Sequence, residues 1–184
     1  MSNPVIEKLL REHDGMRSVL LAVRRQLDKL ELNESPDFAL LHDALYYMRK
    51  FPGVFHHPVE ELIFARLLQR NPVLAADIER VQQEHKEIYE LEAWLLETAV
   101  QASREGAAAY PRLLDFGRRY LLIQRQHSET EEDLIFPHAL SALQPEDWQA
   151  IQRQVQHVED PIFSGRVLQG FKSLYRDILR AGTA

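Results

Sequence analysis

The sequence predicts an all-α protein: an antiparallel up-down four-helix bundle with a helical C-terminal extension. Three observations carry that expectation. Apolar residues recur at a period near 3.6 over long stretches of the chain. Proline follows a capping residue at Asn3-Pro4, Ser35-Pro36, Asn71-Pro72 and Asp160-Pro161, the pattern of a helix start. Only seven glycines occur in 184 residues, too few for a turn-rich sheet protein, so the expected number of strands is zero.

The first helix is expected over residues 4 to 31, with apolar residues at 5, 6, 9, 10, 16, 20, 23, 27 and 30. Ser35-Pro36 starts a second helix that runs through "FALLHDALYYMRKF" to a break or kink at "FPG", 51 to 53. Helical pattern resumes by Pro58 and continues through "EELIFARLLQ". Asn71-Pro72 opens a third helix, 73 to about 104, and "SREGAAAYP" turns the chain into a fourth, roughly 109 to 143. "QPEDWQAIQRQV" is a short helix, and Asp160-Pro161 caps a last one carrying Ile162, Phe163, Val167, Phe171, Leu174, Tyr175, Ile178 and Leu179. Short turns between long amphipathic helices favour antiparallel neighbours. Residues 1–145 are thus expected to form the bundle, with 146–184 a helical extension packed on it. The apolar stripe of the last helix suits either docking on the bundle or pairing two subunits as a homodimer.

Composition narrows the chemistry. Hydrophobic residues at 45% and charged residues at 27% are those of a globular protein. A net charge of -6 disfavours nonspecific binding to nucleic acid or to anionic membranes. With no cysteine, iron–sulfur clusters and thiolate zinc sites are excluded, and any metal must be held by imidazole and carboxylate. The start, "MSNPVIEKLLREHD", meets charge too early for a secretory segment, so the expected address is the cytoplasm.

The chain repeats itself. "REHDGM" at 11–16 returns as "QEHKEI" at 83–88, an offset of 72. His56, Glu60 and Glu61 map onto His127, Glu131 and Glu132 at an offset of 71, and "LIF" at 62–64 maps onto 134–136 at 72. The first two helices therefore read as a copy of the next two, with one residue lost inside the first His-Glu motif.

Positions i and i+4 share a helix face, so His56 with Glu60, and His127 with Glu131, can each aim a nitrogen and an oxygen at one point. Glu60 shares phase with Ile63, Phe64 and Leu67, and Glu131 with Leu134, Ile135 and Leu143. Carboxylates on an apolar face are expensive unless paired or metal-bound. His13 and His85 stand near the starts of the first and third helices, so all four helices can deliver a ligand to one level of the core. Imidazole suits iron, copper, nickel or zinc, and carboxylate bridges favour pairs of harder cations. Four His and two Glu around two adjacent metals fit a non-haem di-iron centre. A bis-imidazole haem leaves the glutamates unexplained.

In the order "EHD", "HHPVEELIF", "EHKEIYE", "HSETEEDLIFP", residues 1 to about 145 resemble a hemerythrin-like protein of the HHE cation-binding domain family. The resemblance implies a four-helix bundle with a bridged di-iron site of two iron ions that takes dioxygen or nitric oxide. It implies His13, His56, His85 and His127 as imidazole ligands and Glu60 and Glu131 as bridging carboxylates. Oxygen-carrying hemerythrins place a second His one turn after the one matched by His85. Here that place is Tyr89, read as a cofactor-contacting phenol or as core packing. The doubled His of "HHPVEE" also permits an alternative register, His57 with Glu61. His42, a second-shell or packed residue, and His138 and His157, surface or helix-end residues, are given no metal role. Tyr46, Tyr47, Trp94 and Trp148 are read as core or rim aromatics.

Function follows from the same residues. No separate acid, base or nucleophile stands out, so a binding or sensing protein for a small diatomic ligand, or for iron or redox status, is expected rather than a dedicated enzyme. The alternative is a di-iron oxidase, a peroxidase-like protein or a nitrosative-stress repair factor. A metal-free interaction bundle rests on the C-terminal stripe alone.

Overall fold

The computed structural model describes residues 3–156 and 158–181. His157 and the last three residues, 182–184, lie outside the described residues. Helix α1 covers Pro4–Glu31, and the Asn3 side chain caps it by accepting from the Val5 amide at 2.9 Å. Helix α2 covers Phe38–Lys50. Its cap is Asp37, which accepts from the Leu40 amide at 3.0 Å, two residues later than Ser35-Pro36 suggested. The break expected at "FPG" is a π-helical turn over Pro52–His56 that leads directly into α3, His57–Arg70. A 3₁₀ turn, Pro72–Leu74, precedes α4, Ala75–Glu105. Another, Gly106–Ala109, precedes α5, Tyr110–Thr130. A second π-helical turn, Glu131–Ile135, joins α5 to α6, Phe136–Ala142, and α7 follows over Pro145–Gln152. A 3₁₀ turn over Gln169–Phe171 opens α8, Lys172–Ala181. The described residues are mostly helical and include no strand, as the glycine count and periodicity indicated.

The last helix begins later than expected. Asp160 Oδ1 accepts from the amides of Ile162 and Phe163 at 2.7 and 2.8 Å, which is the start of a cap. Helix does not propagate from it: Gly165 sits at φ +91, and the chain stays irregular to Leu168. Glycine is a poor helix former and readily takes this left-handed conformation. What remains, α8, packs on α1 and α2 with Leu174 fully buried and Asp177 paired to Arg25 of α1. The Tyr47 hydroxyl holds the preceding segment by donating to Asp160 at 2.8 Å.

Helices α1 and α4 each pack against both α2 and α5, so the four enclose a common interior. That interior holds two apolar clusters. One includes Met16, Val19, Val23, Leu41, Leu45, Ile88, Leu95 and Tyr120. The other includes Leu9, Val59, Ile63, Phe64, Ile78, Val81, Ile135 and Phe136. Each long helix passes from one cluster to the other through a histidine: His13 between Leu9 and Met16, and His85 between Val81 and Ile88. A layer of imidazoles and carboxylates therefore lies between the two apolar clusters, with a smaller buried polar group of Glu92, Tyr120 and Gln124 further along the bundle.

Gly117 marks a close approach of α1 and α5, since a Cβ there would collide with both methyls of Leu27. Gly117→Ala should lower stability by about 1–3 kcal/mol, the usual cost of overpacking. Denaturant titration of the two proteins checks this, and an unchanged midpoint would show that Leu27 moves aside freely.

Candidate metal centre

The polar layer brings together His13, His56, Glu60, His85, His127 and Glu131, all buried. Glu60 and Glu131 have no exposed surface at all. Glu60 lies one turn after His56, and its oxygens stand 2.8 Å from His56 Nε2, 3.5 Å from His13 Nε2 and 3.4 Å from His85 Nε2. Glu131 lies one turn after His127 and stands 3.4 Å from His127 Nε2, 3.4 Å from His13 Nε2 and 3.7 Å from His85 Nε2. Each carboxylate thus reaches three imidazoles, and both reach across between His13 and His85. The two π-helical turns abut this layer, one ending at His56 and the other starting at Glu131. Such wide turns are frequent at functional sites because they re-aim a side chain without ending the helix.

Seven buried atoms in this layer lack hydrogen-bond partners: both oxygens of Glu60 and of Glu131, and Nε2 of His56, His85 and His127. Several lie at ion-pair distance, but none is aligned as a hydrogen bond. Buried polar atoms in a folded protein are nearly always satisfied, and an orphaned cluster calls for an ion or another partner. Nitrogen and oxygen donors converging in this way are the donor set of a cation. Two groupings meet the requirement geometrically. His13, His56 and Glu60 offer ligand atoms that all lie within 4.8 Å of one another, and so do His57, Glu60, His85 and His127.

The outward nitrogens are equally well organised. His13 Nδ1 donates to Glu132 at 2.7 Å, His56 Nδ1 to Glu12 at 2.9 Å, His85 Nδ1 to Glu61 at 3.0 Å and His127 Nδ1 to Glu84 at 3.2 Å. A carboxylate on Nδ1 fixes the tautomer that leaves Nε2 free to ligate, and raises its basicity. The four partners obey the repeat. Glu12 and Glu84 correspond, as do Glu61 and Glu132, so each half supplies a carboxylate to its own His and one to the other half. Sequence reasoning missed this role: Glu12, Glu84 and Glu132 were given no place in the site, and Glu61 entered only as an alternative ligand. Their signal was in plain view, in the "EH" pairs at 12–13 and 84–85 and in the second Glu of each Glu-Glu pair.

Of the alternative register, His57 joins the layer and Glu61 does not. Glu61 points to the surface, where it holds His85 and accepts from Gln82. His57 is half-buried, and its ring stacks on that of His85 with centroids 4.2 Å apart. Tyr89 is not core: it is 53% exposed. The Arg49 guanidinium lies over its ring, 3.8 Å from the ring centre. With His57, Glu61, His85 and Lys86, Tyr89 lines a surface cleft of about 630 Å³. His42 is exposed, beside Asp43 and stacked on Tyr46. His138 donates Nδ1 to the Leu134 carbonyl of its own helical run. Tyr47 and Trp148 are buried, whereas Tyr46 and Trp94 are largely exposed.

Charge inside the layer is balanced by protons when no cation is bound. Burial alone would lower the His13 pKa, but Glu131, Glu132 and Glu60 overrule it and raise the group to about 11. Burial likewise acts against His85, and Glu131, Glu60 and Glu61 raise it to about 11. Burial opposes ionisation of Glu60, yet His56, His13 and His85 hold its carboxyl well below the usual range. Glu132 is pulled down to about 2, first by the hydrogen bond from His13. His57 moves the other way, driven well below its ordinary value by burial and by the nearby His85. Deeper along the bundle, burial pushes Glu92 up to about 8 although the Tyr120 hydroxyl donates to it at 3.0 Å.

A sign follows for stability. His13 and His85, raised from 6.5 to about 11, stabilise the fold fully below pH 6.5, and that contribution is lost as pH rises toward 11. Glu92, raised from 4.5 to about 8, acts in the same direction. Metal-stripped protein should therefore melt at a lower temperature at pH 9 than at pH 6. Thermal denaturation in a chelator at the two pH values checks this, and a higher midpoint at pH 9 would contradict the balance described.

A helical protein whose apolar core is cut by a layer of facing imidazoles and carboxylates is, by fold and site, a helical His/Glu cation-binding domain. The chain belongs to the hemerythrin family: the family model described as hemerythrin HHE cation binding domain matches residues 5–139. No curated protein matches the chain. Among the described residues, no helix is long and apolar enough to cross a membrane.

Proposed function

We propose that the protein is a non-haem di-iron protein of hemerythrin type that binds or senses a small diatomic ligand, dioxygen or nitric oxide, in the cytoplasm. The domain read over residues 1–145 would be the metal-bearing antiparallel up-down bundle, with the segment after it an extension that docks on it through α8. The observation that carries the reading is the set of seven orphaned buried atoms, which face one another in a layer whose outer nitrogens are already satisfied. His13 and His56 would hold one iron, His85 and His127 the other, and Glu60 and Glu131 would span both. Imidazole with bridging carboxylate suits a pair of iron ions better than a single soft metal. When bound, ferrous iron supplies the electrons that make dioxygen or nitric oxide a ligand. The chain's own part is to fix the donors and keep water out. Glu12, Glu61, Glu84 and Glu132 lock the four imidazoles, while Ile63, Phe64, Ile135 and Phe136 line the layer with apolar surface.

The test is anaerobic loading with ferrous iron followed by exposure to nitric oxide and, separately, to dioxygen. About two iron atoms per chain should bind, and visible absorption should change reversibly with the gas. Rapid peroxide turnover without a reversible ligand spectrum would instead favour the oxidase or repair reading. One zinc per chain in place of iron would overturn both.

A further inference from the structure

We infer that His57 supplies a fifth imidazole, serving the same cation as His85 and His127, while its neighbour His56 serves the cation of His13. This rests on the two-cation reading above and adds a ligand that the repeat cannot provide. Adjacent residues on an α-helix point about 100° apart, so two consecutive histidines do not ordinarily share a target. Here both flank the same carboxylate. His56 stands four residues before Glu60 and His57 three before it, and both spacings place a side chain on the Glu60 face. The helix is also re-phased at this point, because the π-helical turn Pro52–His56 runs straight into α3 and the His57 amide bonds back to the Pro52 carbonyl.

The two imidazoles consequently diverge around Glu60. His56 falls in the grouping with His13 and Glu60, and its ring lies 4.8 Å from that of His13. His57 falls in the other grouping, with Glu60, His85 and His127, its ring 4.2 Å from His85 and 5.8 Å from His127. Glu60 belongs to both, as a carboxylate spanning two cations must. At an offset of 71 the counterpart of His57 is Ser128, whose hydroxyl is exposed and donates to the Arg125 carbonyl. The repeat alone gives two imidazoles to each side, and His57 makes three on the His85 side. The position one turn after His85 on α4, filled by the exposed Tyr89, need not supply one. His57 also stands on the wall of the cleft shared with Glu61, His85, Lys86 and Tyr89, so the three-imidazole cation is the one nearest to solvent.

The experiment compares wild type, His57→Ala and His57→Phe, each loaded with ferrous iron and titrated with a competing chelator. Iron per chain is read at each step, along with the circular dichroism of the fold. His57→Phe keeps a ring to stack on His85 but has no nitrogen. Both variants should release one of the two irons at chelator levels lower by at least the ~10- to 100-fold that outer partners are worth, with the other iron held as in wild type. If His57→Phe keeps both irons as wild type does, His57 only packs, and the inference falls while the di-iron reading stands. If wild type itself takes up no second iron, the underlying reading falls and this one with it.

Discussion

Glu60→Ala is expected to strip both cation positions at once. No other carboxylate belongs to both donor groupings, and its two oxygens stand 2.8 to 3.5 Å from three imidazole nitrogens. Glutamine in its place keeps the shape and a single good oxygen, so Glu60→Gln should retain more metal than Glu60→Ala. The loss extends to the metal-free fold. His13 and His56, both raised in pKa by surrounding carboxylates that include Glu60, would be left with less compensation in a buried site. Removing one partner from such a pair costs about 3–5 kcal/mol. Iron content after gel filtration and a denaturation midpoint read the two effects separately. His138→Ala, whose imidazole only donates to its own helix, should change neither. Equal iron in Glu60→Ala and His138→Ala would refute the role given to Glu60.

The second large effect is predicted for residues that touch no cation. Glu12→Ala and Glu84→Ala each free the Nδ1 of a ligand histidine, His56 and His127 respectively. With its outer partner gone, an imidazole is free to rotate or to take the other tautomer, and its nitrogen becomes less basic. Losing such a partner typically weakens metal binding about 10- to 100-fold. Because the two residues are counterparts in the repeat, their variants should be affected to a similar degree, and the double variant should lose more than either. Chelator competition measures this. A tight-binding Glu12→Ala/Glu84→Ala protein would show that packing alone orients the rings. Lys8, paired with Glu12 one turn earlier on α1, offers a control, since Lys8→Ala keeps the carboxylate in place.

Much of this was readable in the sequence, for physical reasons that can be named. Long 3.6-period runs and Asn3-Pro4 fixed α1 to the residue, because an N-cap and a proline leave little choice of start. The inner donors were readable because the spacing of four between His and Glu is a geometric statement about one helix face. What one-dimensional spacing could not show was contact between helices. The pairing of Glu61 with His85, or of Glu132 with His13, crosses 24 and 119 residues of chain. Periodicity also assumes a regular helix, and here the π-helical turns break it. That is why the choice between His56 and His57 looked exclusive when the fold places both at the layer. For Tyr89, one turn after His85, the core-packing alternative fails, since the ring is exposed and sits against Arg49 of α2. At the C-terminus, Asp160-Pro161 carried a true capping signal that Gly165 then cancelled.

The centre itself is tested most directly by crystals of iron-loaded protein measured at the iron absorption edge. Two anomalous peaks are expected inside the bundle, one against His13 and His56, the other against His85 and His127, with Glu60 and Glu131 touching both. A single peak, or iron found only on the surface while those six side chains face one another as they do here, would contradict a two-cation site.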